Sequence, residues 1–355
     1  MDSLRCEIER VDSDIVELLS KRAEISREIG LVKRKNGLRV RDKAREKVVI
    51  GRFEKEAKLL EVNPRLARRI SQLLIEDSVR AQEAYEPGRL RGKSALVVGG
   101  AGRIGEWTCR FLSDRGAEVK VWDERRKLAG YPSVGFPRNG AGSSDIVVIA
   151  SPLGTSSEDL RRVIEESPKG LVFDLCSVKS QIAAQLRRAA KRFMVSSAHP
   201  MFGPSAISPR GKNVVVCDCG NKKANERIAK LFTDAGAVVS TIPLERHDEL
   251  MAYVLGLSHL CTLLFSRTIA VSGKSLDELS SVQGPSFERM CQMARELSNE
   301  SKRVYHDIQT LNPHTKKLIS TMEIVLGELR KASLDLDPSS FTRIMESSRD
   351  YLEVQ

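Results

Sequence analysis

Nine positions at the start of the chain, Leu4, Ile8, Val11, Ile15, Leu18, Arg22, Ile25, Ile29 and Val32, alternate strictly at spacings of four and three residues. That pattern belongs to an α-helix whose one face meets a partner helix along its whole length. Eight of the nine are aliphatic and the other is an arginine, so Arg22 is held where a charge is normally excluded. A buried guanidinium without a counter-charge is costly, and the position asks for either a bound anion or an acidic side chain paired to it. The helix reads from about Asp2 to Arg34 and breaks at Asn36-Gly37, a turn dipeptide. At about 1.5 Å per residue it is near 50 Å long, too long for two short helices to cover, so dimerisation is the economical way to bury the seam.

Two further helices complete residues 1–86. One begins at Asp42, a fair N-cap, and the other at Asn63-Pro64, which reads as N-cap and first helical residue. In the third helix Leu66, Ile70, Leu74, Ser78 and Gln82 recur at successive fours, a stripe apolar at one end and hydrogen-bonding at the other. Lys33 lies three turns beyond Arg22 on nearly the same face, and the segment Arg41 to Glu46 adds cations and acids at a helix start. These residues describe a pocket of cations, an amide and a hydroxyl, with no base or nucleophile of the His or Cys type. Such a pocket binds a polycarboxylate and accelerates a reaction only through shape and fixed charge.

The 355 residues leave room for two or three domains, and a net charge of +11 admits nucleic acid, a membrane surface or anionic substrates as partners. Much of that charge lies in residues 21–69, mixed with acids, and Phe53 is the sole aromatic there to stack on a base. No nucleic-acid partner is therefore expected; a small dianion explains the clustered Arg and Lys equally well. The seven cysteines show no CxxC pair or zinc spacing, and all five histidines lie beyond residue 198, so no metal is expected. Scattered thiols suit a reducing cytoplasm. The opening MDSLRCEIER is no signal peptide, and no apolar run approaches the roughly 18 residues of a membrane span, so a soluble protein with no membrane partner is expected.

Residues 85–92 read as a helix end and linker, after which the periodicity changes. A short apolar strand at Ser94 to Val98 leads into Gly-Gly-Ala-Gly-Arg-Ile-Gly, a helix to about Asp114, and a second strand from Glu118 to Trp122 that ends in Asp123. Further strands are expected at 145–150, 171–175, 193–197, 213–217 and 237–242, with helical stretches between several of them. This βα alternation predicts a largely parallel, Rossmann-type sheet over residues 92–245, followed by an all-helical region at 246–355. Placed between strand and helix, Gly100, Gly102 and Gly105 form a dinucleotide site: Gly100 for the tight turn, Gly102 for approach of the pyrophosphate, Gly105 for close helix–strand packing. Arg103 and Ile104 open the helix whose N-terminus meets the pyrophosphate. Asp123 would accept the ribose hydroxyls and repel a 2′-phosphate, favouring NAD, although Arg125 and Arg126 weigh the other way.

Ligands in such sheets sit beyond the carboxyl ends of the strands. Two segments fall there, Asp174-Leu-Cys-Ser177-Val-Lys179 and His199-Pro-Met-Phe-Gly-Pro204. A histidine fixed by a following proline, beside a strand end that carries a serine and a lysine, is a candidate catalytic base.

Residues 2–85 resemble the all-helical chorismate mutases, dimers of three-helix chains that convert chorismate to prephenate by a Claisen rearrangement. Arg5, Arg22, Lys33, Asp42, Arg45, Glu46, Ser78 and Gln82 stand where that family has its functional residues. The resemblance implies that Arg5 reaches into the partner's site, that Arg5, Arg22 and Lys33 hold the carboxylates, that Lys33 and Gln82 stabilise charge on the breaking ether oxygen, and that Glu46 and Asp42 hold the ring hydroxyl. From about Lys93 onward, the pairing of DLCSVKS with AHPMFGPS resembles the prephenate dehydrogenases. That likeness implies that His199 draws the proton from the ring hydroxyl as hydride leaves the same carbon for NAD, with Ser177 orienting His199 and Lys179 supporting the site. Loss of CO₂ then yields 4-hydroxyphenylpyruvate. His259 matches a histidine of the helical substrate and dimerisation region, and Arg295 is expected to bind a substrate carboxylate. Around Ser286 to Arg289 the chain departs from the family form. The two resemblances describe consecutive steps of tyrosine biosynthesis. Arogenate as the dehydrogenase substrate, and a basic scaffold keeping inactive remnants of both folds, are the alternatives.

Overall fold

The computed structural model describes residues 2–84, 89–135, 140–206, 208–298 and 300–353; the start of the expected linker, residues 85–88, lies outside the described residues. Three helices come first, α1 (Asp2–Lys35), α2 (Lys43–Leu59) and α3 (Pro64–Ala84). The caps read from the sequence form: Asp42 Oδ1 accepts from the amides of Ala44 and Arg45, each at 3.0 Å, and Asn63 Oδ1 accepts from Arg65 N at 2.9 Å. Gly37, at φ +65°, supplies the left-handed residue that ends α1. Helix α3 packs against both α1 and α2.

The α1–α3 crossing is parallel, with Arg22 against Leu74 and Ser78 and Gly30 against Gln82. A Cβ at Gly30 would stand 2.8 Å from Gln82 Cα and 2.9 Å from its carbonyl oxygen, so the two backbones touch there. The buried stripe of α3 is Ala67, Ser71, Ile75, Ser78 and Gln82, whereas Leu66 and Ile70, expected to point inward, are 51% and 42% exposed. A strict i+4 row drifts around a helix of 3.6 residues per turn, so its two ends do not share one face. All eight aliphatic residues of the α1 seam are 42–65% exposed in the single chain.

The sheet strands are β1 (Ser94–Val98), β2 (Glu118–Trp122), β3 (Ile146–Ile149), β4 (Leu171–Asp174), β5 (Val195–Pro200), β6 (Asn213–Asp218) and β7 (Val238–Pro243), in spatial order β2-β1-β3-β4-β5-β6-β7. The first five are mutually parallel, as the alternation predicts; β6 runs antiparallel to β5. The loop joining those two carries no crossover helix, and without one a parallel return is not available. Helices α4 (Arg103–Ser113), α5 (Leu153–Glu165), α6 (Ala183–Ala190) and α7 (Lys222–Thr233) intervene elsewhere. Because both faces are covered, β1, β3 and β4 read as continuous apolar runs rather than alternating ones. Phe111 stacks at 5.0 Å on Trp107 and at 5.3 Å on Phe232, an aromatic row within that core.

The chain then continues as α8 (Leu244–Met251), a π-helical turn (Ala252–Leu257), α9 (Ser258–Val271), α10 (Leu276–Ser281), α11 (Pro285–Ser298), α12 (Lys302–Leu311), α13 (Thr315–Leu334) and α14 (Ser339–Glu353). Contrary to the expectation that no apolar run is long enough for a membrane, the continuous helix Leu244–Val271 contains a stretch that is, by length and composition alone. The run was missed because Ser258, His259 and Thr262 interrupt it as a string without lowering its mean hydropathy below that of a span. The residues fall into two compact units, Met1–Ser151 with Glu158–Leu175 and Ala189–Thr241, and Pro152–Ser157 with Cys176–Arg188 and Ile242–Gln355.

Gly30→Ala is expected to push α3 away from α1 and to lower stability by about 1–3 kcal/mol, as overpacking does elsewhere. Gly51→Ala, where nothing lies within 4 Å of the added carbon, is the control and is expected to be neutral or slightly stabilising. Thermal unfolding of both variants checks the contrast.

Candidate active sites

In the helical module, Arg22 Nη1 donates to the Leu74 carbonyl at 2.6 Å and to the Ser78 hydroxyl, and Ser26 Oγ lies 2.9 Å from Ser78 Oγ. No carboxylate among the described residues pairs with Arg22; Asp77 acts on it only at longer range, and burial holds the guanidinium below its ordinary pKa. Of the two readings of Arg22, a paired acid is therefore not found among the described residues. Gln82 is buried and its amide oxygen has no hydrogen-bond partner among the described residues. Lys33 Nζ reaches the Val40 carbonyl at 2.7 Å, which draws the 36–40 turn toward the end of α1. Glu46, half-buried, faces Arg41 Nε at 3.2 Å and borders an open cleft of about 430 Å³. Asp42 is given to capping α2, and Arg45 and Arg5 are exposed. Arg5 sits seventeen residues before Arg22, about 25 Å along a straight helix, and so is remote from its own chain's cluster.

In the sheet, the glycine turn divides its duties differently from expectation. Gly99, at φ +75°, makes the left-handed turn; Gly100 is needed because a Cβ would stand 2.6 Å from Val121 Cγ1 on β2. Gly102 caps α4 without a side chain and is exposed, leaving the helix amides open to an anion. Gly105 packs against the Gly99 carbonyl and stands 2.7 Å, measured from an added Cβ, from Gly100 Cα. Ile104 leans on the sheet core, and Arg103 is exposed. Asp123 receives Ala101 N on Oδ2 at 3.1 Å, and Arg125 N on Oδ1 at 3.0 Å. Arg126 donates from Nε to the Ala101 carbonyl at 3.1 Å, so this cation is strapped to the glycine turn beside Asp123. The turn thus fits a dinucleotide: an open helix N-terminus, a backbone no Cβ could join, and a carboxylate at the end of β2.

Strands β4 and β5 are neighbours, with Asp174 opposite Ser197. His199 is the penultimate residue of β5 rather than lying past its end, and it is 4% exposed. Beyond it, the loop packs back on α4: Trp107 Nε1 donates to the Ala206 carbonyl at 2.6 Å, and Phe202 meets the Trp107 ring edge-on at 5.1 Å. The His199 segment and the glycine-turn helix are therefore one packed assembly. In the other compact unit, Ser177 is half-buried and Lys179 almost fully buried, on a turn whose backbone amides at Lys179 and Ser180 donate to Asp248. His259 sits in the first turn of α9 with its ring 4.2 Å from that of Tyr305; burial lowers its pKa, and Nδ1 has no partner among the described residues. Arg295, in the last turn of α11, is exposed.

Sequence reading passed over Ser26 and Gly30, which the seam hid between its own positions. His247, to which the sequence pattern assigns no role, is wholly buried beside Asp248. The apolar flank of α8 was the only sign available.

The fold and sites define a two-part enzyme, a helical module that binds an anion without a covalent catalyst and a dinucleotide-dependent dehydrogenase. Residues 4–83 match the type II chorismate mutases and residues 123–241 the nucleotide-binding domain of prephenate dehydrogenases. The chain is thus a bifunctional chorismate mutase and prephenate dehydrogenase, an isomerase joined to an oxidoreductase. It is 27% identical over 357 residues to the T-protein of Enterobacter agglomerans, covering 99% of this chain and 94% of that one. The T-protein of Haemophilus influenzae is 24% identical, over 99% of this chain and 92% of its own length. Among solved structures, the prephenate dehydrogenase from A. aeolicus in complex with hydroxyphenyl propionate and NAD+ shares the fold, with a TM-score of 0.56 at 19% identity, over 74% of this chain and 98% of that one.

Asp123→Ser should remove both the ribose acceptor and the Ala101 tether while leaving Arg126 in place. The expected outcome is a preference for NAD over NADP that narrows or reverses, read from kcat/KM with each cofactor.

Proposed function

We propose that the mutase site is shared between two chains, and that its residues act by charge and shape alone. Arg22 and Lys33 of one chain, with Arg5 of its partner, hold the carboxylates of chorismate, and Ser78 fixes the Arg22 guanidinium. As the ether C–O bond breaks and the new C–C bond forms, Lys33 and Gln82 stabilise the negative charge growing on oxygen. Glu46 holds the ring hydroxyl, with Arg45 beside it at the head of α2, and Asp42 sets the start of that helix. The observation that carries this reading is Arg22: half-buried, with a carbonyl and a hydroxyl for partners and no carboxylate among the described residues.

Dimerisation is supported by the seam. Covering eight aliphatic side chains that are about half exposed contributes on the order of 10 kcal/mol at about 1 kcal/mol each. That is comparable with the roughly 4–15 kcal/mol cost of association, so the further apolar surface of the C-terminal helices decides the balance. Tyr253, Val254, Leu263 and Leu264 on the long apolar helix are 43–52% exposed, as suits a face closed by a second subunit rather than by lipid. The residues organise as a mutase domain at 1–86, a Rossmann domain at 92–245 and a helical substrate and dimerisation domain at 246–355. Seven cysteines with no disulfide among the described residues fit a reducing compartment, which we take to be the cytoplasm.

In the second site, prephenate rather than arogenate is the substrate. The glycine turn and Asp123 hold NAD, which when bound accepts a hydride. His199 draws the proton from the ring hydroxyl as the hydride leaves the same carbon, Ser177 orients the imidazole, and Lys179, His259 and Arg295 hold the substrate. Loss of CO₂ and aromatisation give 4-hydroxyphenylpyruvate.

The two activities are expected to fail separately. His199→Asn should lower dehydrogenase turnover by about a hundred- to ten-thousand-fold while mutase rate and NAD binding persist. Lys33→Ala should cost the mutase about a hundredfold or more and leave oxidation of supplied prephenate near normal. Assays with chorismate, prephenate and arogenate, each with NAD, check both; loss of both activities in either folded variant would show a single coupled site.

A shared mutase site makes a second demand. Arg5→Ala and Arg22→Ala chains, each inactive, should recover about a quarter of wild-type activity per site when mixed, because one site in a hybrid dimer then has both arginines. Absence of recovery after proven chain exchange rules out the shared site.

A further inference from the structure

Asp248 and His247 form a desolvated pair that the chemistry above does not use. Asp248 is 5% exposed and His247 is wholly buried. Asp248 Oδ1 accepts from Lys179 N at 2.7 Å and lies 2.7 Å from His247 Nδ1; Oδ2 accepts from Ser180 N at 2.7 Å. Burial alone pushes this carboxyl up, but its three donors outweigh that and hold it below the ordinary carboxylate range. The carboxylate stays ionised, so Nδ1 of His247 carries the proton and donates it. The backbone of Asp248 is fixed as well, its carbonyl accepting from Asn312 Nδ2 at 2.8 Å, while Ser180 Oγ lies 3.2 Å from the Leu311 carbonyl.

A buried carboxylate is a poor device for stability alone, since apolar residues of the same volume often do as well or better. This one grips consecutive amides of a single short turn, across 69 residues of sequence, and that turn carries Ser177 and Lys179. Each carboxylate oxygen takes one amide, so both the position and the rotation of the turn are set. We propose that Asp248, itself oriented by His247, is the positioning residue that holds Ser177 and Lys179 in register for the dehydrogenase reaction. The inference rests on the assignment of those two residues to that site. Asp248 touches no reacting atom; it acts through the turn. A displacement near 1 Å in such a group is enough to lose about a hundredfold in rate.

The test uses the full-length enzyme with the mutase activity of the same chain as a folding control. Asp248→Asn keeps the volume but sets an NH₂ donor against one of the two amide donors. It should lower dehydrogenase kcat about ten- to a hundredfold, with the Kd for NAD and the mutase rate within twofold of wild type. His247→Leu should lower kcat in the same way, and His247→Asn, whose amide N–H stands where Nδ1–H stood, should restore most of it. Asp248→Asn added to the Ser177→Ala/Lys179→Ala double variant should cost little more, because both groups it positions are already gone. Asp248→Asn with wild-type kcat, or a triple variant in which its loss multiplies in full, overturns the inference while Ser177→Ala and Lys179→Ala remain impaired. If Ser177→Ala and Lys179→Ala are themselves unimpaired, the assignment beneath it falls. If every Asp248 and His247 variant loses the mutase too, the pair is a structural clamp and the inference is again overturned.

Discussion

A 34-residue helix that packs only part of its length against its own chain imposes the condition under which the rest of the mutase module makes sense. Left in water, the aliphatic face of α1 is a large unfavourable surface, and in the dimer we propose a partner covers it. The same geometry explains why Arg5 is so far from the cluster it resembles a member of, and why the cleft beside Glu46 reaches none of Arg22, Lys33, Ser78 or Gln82.

The second half depends on backbone proximity instead. Gly99, Gly100 and Gly105 bring the turn after β1, strand β2 and helix α4 closer than any side chain would allow, and that closeness leaves the α4 amides facing outward for a phosphate. Trp107, one turn into α4, then ties the loop after His199 to the cofactor side of the sheet. The glycine turn and the His199 segment are thereby packed together. The turn bearing Ser177 and Lys179 is fixed by different means, a carboxylate from the following helical unit. Packed backbone fixes the glycine turn and the His199 segment, and a buried carboxylate fixes the turn of Ser177 and Lys179.

Much of this was readable from residue order. The seam period, the Asn-Gly and Asn-Pro breaks, the Asp42 cap and the βα alternation are local signals, set by spacings of two to seven residues, and each became the element it indicated. The motifs SVK and HPMFGP named their residues because composition at a strand end is also local. Register was less secure: β5 begins two residues later than its apolar run suggested and takes in His199, since the pairing with β6 decides where a strand stops.

What sequence could not supply was any relation set by distant partners. That Leu66 and Ile70 face outward depends on the angle at which α3 crosses α1, which Gly30 fixes by backbone contact with Gln82. That Gly100 must lack a side chain depends on Val121, a residue of the next strand. That His247 is buried and Asp248 committed depends on a turn 69 residues earlier in the chain. Periodicity along the chain determined which residues form helices and strands and which motifs they carry, because those are short-range preferences of the backbone. Only the tertiary structure decided which donors and charges are desolvated together, because desolvation is a property of neighbours in space.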